Sequence, residues 1–235
     1  MPAASSPPRI LLVDDNADNL TLMQLFLCDA PYQVEVAANG REAVEKFAAI
    51  AYDLVFMDLE MPVLDGYEAS RTIRDMERHQ GRTPVPILVL TAHALDEFRV
   101  RCDAAGCTDF LTKPVRKSAV LEAVARYLGE AARPAAVSPD LGPDMDLLRP
   151  LLPIFFSTAD ATLESARLAL GAGDLETTRR QGHKLKGSAL SYGFEELGEA
   201  ARELESAGED RDLAAARMAL DRAARLLEKA RGAFA

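Results

Sequence analysis

Paired cysteines, long apolar runs and net positive charge are all missing from this sequence of 235 residues. Its three cysteines, Cys28, Cys102 and Cys107, form an odd and sparse set, which argues against a disulfide framework. Cys102 and Cys107 also lack a nearby Cys/His pair. Two cysteines without such partners are more typical of small packed residues than of a zinc site.

The lack of long apolar runs and of net positive charge excludes further classes of protein. No apolar run approaches the roughly 18–20 residues of a membrane span. The first residues, MPAASSPP, have neither the charged start nor the apolar segment of a signal peptide, so we expect a short leader on a cytoplasmic protein. A net charge of −10 argues against binding to nucleic acid or to an anionic membrane. The acidic excess lies mainly before residue 130, which favours a cation as ligand there.

The first half of the chain alternates short apolar runs with amphipathic stretches. The runs are ILLV (10–13), VEVA (34–37), DLVFM (53–57), ILVL (87–90) and DFL (109–111). Helical patterns lie between them at about 17–29, 41–50, 66–78, 95–105 and 116–128. Five buried strands alternating with five helices predict a doubly wound α/β domain with a parallel sheet over residues 9–130.

The second half has a different composition and predicts a different fold. Residues 131–143, AARPAAVSPDLGP, are typical of a linker, and residues 144–235 contain no valine and one isoleucine. The 3.6-residue periodicity predicts an all-α bundle. We expect Asp174 to cap one helix, Gly193 and Gly208 to end helices, and Asp210 or Asp212 to begin the last one. Pro150 and Pro153 predict a break before a helix over about 153–170.

Polar residues stand where the strands of the predicted sheet end. Asp14 and Asp15 follow the first strand, Asp58 ends the third, Thr91 ends the fourth and Lys113 follows the fifth. The carboxyl ends of parallel strands meet at one edge, where ligands bind. Any one of these acidic residues could simply cap the next helix, but five convergent groups favour a site. Three carboxylates there predict a hard divalent cation such as Mg²⁺.

The stretch HKLKGSALSYG, residues 183–193, contains one of the three histidines. Lys186 and Gly187 lie on the same helical face as His183, so the spacing predicts an exposed ring that receives a negatively charged group. Arg179 and Arg180 lie within one turn and add positive charge. The opposite stripe is expected to face the core: Thr178, Gly182, Leu185 and Ala189. A lone histidine on an amphipathic helix is more often an ordinary surface residue.

The strings LLVDDN, MDLEMPVLDG, LTAHA and FLTKP resemble, in order and spacing, the response-regulator receiver domain. The resemblance implies a flavodoxin-like sheet of order 2-1-3-4-5 and makes Asp58 the phosphoacceptor. It implies an Mg²⁺ site formed by Asp14, Asp15, Asp58 and the backbone carbonyl of Glu60. It also implies that Thr91 and Lys113 contact the phosphoryl group, that Thr91 and Phe110 are the switch residues, and that the Lys113–Pro114 peptide is cis.

The string that contains His183 resembles the histidine phosphotransfer (HPt) domain, a four-helix bundle that passes phosphate between receivers without ATP. The family motif corresponds to His183, Lys186, Gly187 and Gly193. The resemblance implies that His183 carries the phosphoryl group, with Lys186, Gly187, Arg179 and Arg180 supporting it or the docking partner. His79 and His93 match neither motif and are expected at the surface.

The two resemblances together predict a phosphorelay protein, a receiver over 9–130 joined to an HPt domain over 144–235. Nothing in the sequence resembles an ATP-binding kinase lobe or a Walker loop, so we expect no kinase activity of its own. The implied partners are a sensor histidine kinase and a receiver-containing response regulator. One alternative is a response regulator whose helical domain only docks or dimerises. Another is the C-terminal part of a hybrid sensor kinase, although the starting Met1 favours an independent protein.

Overall fold

The computed structural model describes residues 7–28, 30, 32–91, 96–129 and 148–234, without the side chains of residues 96–98. The chain divides into two compact units, Met1–Asp140 and Leu141–Ala235. The predicted linker and His93 lie outside the described residues. Among the described helices, none combines the length and the apolar character needed to cross a membrane.

The first unit is built on a five-stranded parallel sheet. Its strands are β1 (Arg9–Val13), β2 (Gln33–Ala37), β3 (Leu54–Asp58), β4 (Ile87–Thr91) and β5 (Asp109–Thr112). They lie in the order β2-β1-β3-β4-β5, and all neighbouring pairs are parallel. Every residue of β3 and β4 is buried, because helices cover both faces of the sheet. The predicted doubly wound α/β fold is confirmed.

Five helices connect the strands, close to the positions that the sequence predicts. They are α1 (Ala17–Leu27), α2 (Gly40–Ala49), α3 (Gly66–Gln80), α4 (Asp96–Ala105) and α5 (Lys117–Leu128). Asn16, Asn39 and Asp65 begin the first three helices, and each side chain accepts a hydrogen bond from a backbone N–H of the first turn. Each of these caps follows a strand of the parallel sheet, so α1, α2 and α3 all begin on the side of its carboxyl edge.

The second unit contains four helices, preceded by a short 3₁₀ helix at Arg149–Leu151. The helices are α6 (Leu152–Gly171), α7 (Leu175–Ser191), α8 (Glu195–Glu209) and α9 (Leu213–Phe234). Pro153 lies in the first turn of α6, where a missing N–H does no harm, so the predicted break at the prolines is confirmed. Asp174 caps α7, and Asp212 accepts from the N–H groups of Ala214 and Ala215 at the start of α9.

One of the two glycines expected to end a helix has another role. Gly193 follows α7 with a φ of 79°, a left-handed conformation that glycine adopts without strain. Gly208 instead lies inside the last turn of α8 and is buried. A Cβ added there would lie 2.8 Å from the backbone nitrogen of Arg179. The expectation that Gly208 stops a helix was wrong, because the residue allows α7 and α8 to approach at backbone distance.

An aromatic cluster fills the end of the bundle at which α6 begins. The ring of Phe155 stacks on those of Tyr192 and Phe194, with centroid distances of 4.7 and 4.9 Å. Phe234, from the end of α9, meets Phe194 edge-on at 6.0 Å. Rings from α6, α9 and the segment between α7 and α8 therefore form one packed layer, and such pairs stabilise a core beyond their buried area.

Candidate functional site

The three acidic residues that the sequence places at strand ends converge at the carboxyl edge of the sheet. Asp14 and Asp15 follow β1, and Asp58 is the last residue of β3. One carboxylate oxygen from each lies within 4.8 Å of the others. Asp14 and Asp58 are each only 3% exposed, so water screens their mutual repulsion poorly. The convergence that the strand ends predict is confirmed for these residues.

Lys113 supplies positive charge to this pocket. Its Nζ lies 2.9 Å from Asp58 Oδ1 and 3.2 Å from Asp14 Oδ2. Burial alone lowers the pKa of Lys113, but the charges of Asp14 and Asp58 outweigh that effect and raise the pKa above its ordinary value. The Lys113–Pro114 peptide is cis, and the backbone N–H of Lys113 donates to the Thr91 carbonyl at 2.6 Å. The lysine is therefore fixed at the strand edge as a cation.

The charge balance of this pocket fits a bound divalent cation. Three clustered carboxylates face one ammonium group, which leaves two negative charges in a largely buried space. The candidate ligands are all hard oxygen atoms, the type that Mg²⁺ prefers. The residues present are thus suited to Mg²⁺ rather than to a softer metal, which would favour sulfur or imidazole ligands.

Hydrogen bonds orient the two buried carboxylates. Asp58 Oδ1 accepts from the backbone N–H of Leu59 at 2.8 Å, and Asp14 Oδ1 accepts from that of Asn16 at 2.8 Å. The side-chain amide of Asn19 also donates to both oxygens of Asp14, at 3.1 and 3.0 Å. Asn19 was not among the site residues predicted from the sequence. Its signal in the sequence is an amide in the first turn of the helix that follows the acidic pair.

A glycine brings the start of α3 against the end of β3. A Cβ added at Gly66 would lie 2.1 Å from the carbonyl oxygen of Asp58. No real side chain tolerates such a distance, so this position requires glycine. The N–H of Gly66 donates to the Leu59 carbonyl at 3.0 Å. The glycine of the LDG string therefore fixes the backbone that carries Asp58.

Thr91 and Phe110, the predicted switch residues, lie on neighbouring strands. Thr91 ends β4 beside Thr112 and is 6% exposed, whereas Phe110 pairs with Val89 and is half-buried. The guanidinium of Arg99, on α4, lies over the Phe110 ring at 5.8 Å from its centroid. The side chain of Glu60 is exposed. The segment after Thr91, residues 92–95, lies outside the described residues.

In the second unit, His183 is held by a carboxylate from the neighbouring helix. Its Nδ1 lies 2.7 Å from Oε1 of Glu205, on α8. Lys186 Nζ contacts the other oxygen of the same carboxylate. Burial raises the pKa of Glu205, but the hydrogen bonds and charges of His183 and Lys186 outweigh it and lower the pKa to about 2. Glu205 therefore stays ionised under all ordinary conditions.

His183 is less exposed than its sequence context predicts. The spacing predicts an exposed ring, but the side chain is only 14% exposed because it lies against the carboxylate of Glu205. Glu205 was missed by the sequence analysis, since it follows His183 by 22 residues and belongs to another helix. The predicted inward stripe is confirmed, because all four of its members are buried: Thr178, Gly182, Leu185 and Ala189.

The basic residues around His183 have different environments. Lys186 is buried against Glu205. Arg179 forms a 3.0 Å ion pair with Glu176, and the exposed Arg180 donates to the Thr177 hydroxyl at 3.1 Å. Gly187 is half-buried one turn after His183. The support that these four residues give to a phosphoryl group or a docking partner stays a prediction. His79 is exposed on α3, as expected.

Each of the two units matches a known protein family. Residues 10–125 match the model of the response regulator receiver domain, and residues 150–233 match that of the Hpt domain. The sensor histidine kinase GacS of Pseudomonas protegens is 32% identical over 215 residues, which are 83% of this chain and 23% of that protein. BarA, a signal transduction histidine-protein kinase of Escherichia coli K12, is 34% identical over 133 residues, or 56% and 14% of the two chains.

Among solved structures, one match is the co-crystal structure of the Saccharomyces cerevisiae histidine phosphotransfer signaling protein Ypd1 with the receiver domain of its downstream response regulator Ssk1. The TM-score is 0.51 at 32% identity, with 58% of this chain and 95% of that chain covered. The chain spans less than a quarter of the length of the two curated relatives described above. It belongs to the two-component phosphorelay proteins, with a response regulator receiver domain followed by an Hpt domain.

Proposed function

We propose that Asp58 accepts a phosphoryl group with Mg²⁺ and that His183 carries a phosphoryl group that it exchanges with a receiver. The observation that carries the proposal is that each candidate acceptor has a fixed, charged partner. Asp58 has Lys113 at 2.9 Å, and His183 has Glu205 at 2.7 Å. The donor and acceptor partners outside this chain would be a sensor histidine kinase and a response regulator. The expected cytoplasmic location stays a prediction.

In the receiver domain the protein supplies position and charge. Asp14, Asp15, Asp58 and the backbone carbonyl of Glu60 would hold Mg²⁺, which when bound neutralises charge on the transferred group. Lys113 adds a fixed positive charge beside the attacking carboxylate. Phosphoryl transfer depends mainly on such positioning and neutralisation. The Asp58 oxygen forms a bond to phosphorus as the bond from phosphorus to the donor's imidazole nitrogen breaks. Thr91 would donate to a phosphoryl oxygen.

In the HPt domain Glu205 selects the tautomer of His183. A carboxylate against Nδ1 favours the form in which Nδ1 carries the proton, which leaves the lone pair on Nε2. Nε2 is then the nucleophile, and it bonds to phosphorus as the acyl phosphate bond of a receiver aspartate breaks. The proton stays on Nδ1, and the ionised Glu205 compensates the positive charge that develops on the ring.

Labelling experiments on the full chain test both acceptors. With a radiolabelled small phosphodonor such as acetyl phosphate, we expect Mg²⁺-dependent label that Asp58→Asn abolishes. Unchanged labelling in EDTA would contradict the cation site. A receiver phosphorylated beforehand should then give acid-labile, base-stable label on the Asp58→Asn variant. His183→Gln should remove that label, whereas His79→Gln, a matched change at an exposed histidine, should not.

The docking alternative makes the opposite prediction for the second experiment. If the helical domain only docks or dimerises, no receiver will label His183, and His183→Gln will behave like His79→Gln. A panel of receivers separates this result from the choice of a wrong partner. The panel should include the chain's own receiver, supplied as the His183→Gln variant phosphorylated on Asp58.

The remaining alternative is that these two domains form the C-terminal part of a hybrid sensor kinase. It concerns the polypeptide in which the domains act and not their chemistry. The alignment with GacS extends over 83% of this chain within one longer sensor kinase. That observation favours a receiver and an HPt domain that act downstream of a kinase in the same polypeptide. An immunoblot of cell extract with antibodies against this chain decides the question. A band near 25.5 kDa supports a separate protein, and a much larger band supports a hybrid kinase.

A further inference from the structure

Asn19 is a neutral side chain that binds both oxygens of a carboxylate in the acidic pocket. Its Nδ2 donates to Asp14 Oδ1 at 3.1 Å and to Asp14 Oδ2 at 3.0 Å. Asn19 lies in the first turn of α1, the helix that follows Asp14 and Asp15. A donor shared by both oxygens fixes the plane of the carboxylate as well as its position.

The carbonyl oxygen of the Asn19 side chain shows which contact determines the orientation of the amide group. Oδ1 of Asn19 is buried and has no hydrogen-bond partner among the described residues. If the amide were turned over, its carbonyl oxygen would face the carboxylate of Asp14, which offers no proton. The amide thus keeps its donor on Asp14 although its carbonyl then goes unpaired. A buried unpaired carbonyl is costly, so the bonds to Asp14 must outweigh that cost.

The remaining contacts of Asp14 explain why its plane matters. Oδ1 also accepts from the backbone N–H of Asn16, and Oδ2 also contacts Lys113 Nζ. Asp14 therefore connects the start of α1 with the lysine that faces Asp58. A rotation of the carboxylate would shift Lys113 and change the arrangement of negative charge at the centre of the pocket.

We propose that Asn19 is a positioning residue of the cation pocket, which holds the Asp14 carboxylate in one fixed plane beside the residues that would hold a divalent cation. This rests on the proposed function, because it takes the acidic cluster to be an Mg²⁺ site. Residues that hydrogen-bond to metal-site carboxylates without touching the metal typically control affinity about 10- to 100-fold. Asn19 would act on the cation only through Asp14.

The first test measures Mg²⁺ affinity of the full chain by titration calorimetry. Asn19→Leu keeps a similar volume and removes the donor, so it should weaken Mg²⁺ binding about tenfold or more. Asn39→Leu is the matched control, because Asn39 is also an asparagine at a helix start but caps α2 through Glu42 N–H. We expect it to lose some thermal stability and to keep the wild-type Mg²⁺ affinity. Asn19→Ala is measured in parallel in case leucine does not fit.

A second test needs no variant. The sequence contains three asparagines, Asn16, Asn19 and Asn39, so selective ¹⁵N labelling of asparagine gives three side-chain amide pairs. Addition of Mg²⁺ to the wild-type chain should shift the amide pair of Asn19 and leave that of Asn39 in place. The spectrum of the Asn19→Ala variant assigns the pair.

The outcomes separate this inference from the function on which it rests. If the wild-type chain does not bind Mg²⁺, and Asp15→Ala changes nothing, the proposed cation site itself is wrong. If the wild type binds Mg²⁺ and Asn19→Leu or Asn19→Ala binds it equally well, the cation site stands and the role of Asn19 is overturned. An Asn19 amide pair that does not move on Mg²⁺ addition overturns it as well.

Discussion

Replacing Glu205 by glutamine removes the negative charge that α8 places beside His183, so the effect of that charge can be measured. The wild-type carboxylate contacts both His183 and Lys186, and its pKa is lowered from 4.5 to about 2. At about 1.4 kcal/mol for each pKa unit, ionised Glu205 stabilises the folded HPt domain by roughly 3 kcal/mol at neutral pH. Glutamine has nearly the same shape but no charge, and it leaves the buried Lys186 without its counter-ion. We therefore expect the free energy of unfolding of the HPt domain to fall by roughly 3 kcal/mol in the Glu205→Gln variant.

The pH dependence of this difference has a definite sign. Because the folded-state pKa lies below the ordinary value, the contribution is fully present above pH 4.5 and is lost as the pH falls towards 2. The difference between wild type and Glu205→Gln should accordingly be about 3 kcal/mol at pH 7 and roughly half of that at pH 3. A variant that lost only packing would show the same difference at both pH values.

Hydrogen exchange followed by mass spectrometry measures this loss within the full chain. Peptides from residues 175–209 report on α7 and α8 separately from the receiver domain, and 3 kcal/mol corresponds to exchange on the order of a hundredfold faster. Urea unfolding at pH 7 and pH 3 then gives the pH dependence. Glu203→Gln is the matched control on the same helix, because Glu203 forms an exposed pair with Arg222. It should cost less than about 1 kcal/mol.

The same variant also tests the tautomer argument. A glutamine amide can accept from Nδ1–H or donate to a bare Nδ1, so it does not select one tautomer. Transfer to His183 should therefore slow even where the variant is fully folded. If Glu205→Gln is as stable as Glu203→Gln and transfers phosphate at the wild-type rate, the assigned role of Glu205 is wrong.

Two further predictions concern the receiver pocket and the contact between α7 and α8. Lys113→Met leaves Asp14 and Asp58 buried without their cation, which should cost about 3–5 kcal/mol in urea unfolding at pH 7. Added Mg²⁺ should restore part of that loss, and an equal loss with and without Mg²⁺ would contradict the charge balance described above. Gly182→Ala places a Cβ 2.6 Å from the backbone nitrogen of Glu205 and should lower stability by about 1–3 kcal/mol in thermal unfolding. Gly171→Ala, in α6 with open space around it, should instead stabilise by about 0.5–1 kcal/mol, and similar effects of the two changes would refute the close contact.

The receiver pocket could be predicted from sequence because its members stand next to strand ends. Short apolar runs mark the strands, and parallel strands bring Asp14, Asp58 and Lys113 to one edge whatever their separation in the chain. Asn19 could not be predicted in the same way. Its contact with Asp14 depends on how far α1 rotates about its axis, and no periodicity in the sequence defines that angle.

The surroundings of His183 were harder to predict for a related reason. The residues on its own helix follow from the 3.6-residue period, and the buried stripe was correct. Glu205 belongs to α8, and its position depends on the separation of two helices, which small residues at the crossing determine. Gly208 illustrates the difficulty, since a glycine near a helix end is typical of a stop signal, yet here it serves helix contact.

The glycines at this crossing have a consequence for how the protein can change over evolution. A Cβ at Gly182 or Gly208 would overlap the main chain of the opposite helix, so the spacing of α7 and α8 is defined by backbone against backbone. The separation of the two backbones that carry the imidazole and the carboxylate is therefore set by main-chain contact rather than by the side chains around it. Substitutions on the exposed faces of both helices can alter the choice of partner without disturbing this distance. Recognition is thereby free to diverge among descendants of this domain while the reactive pair stays the same.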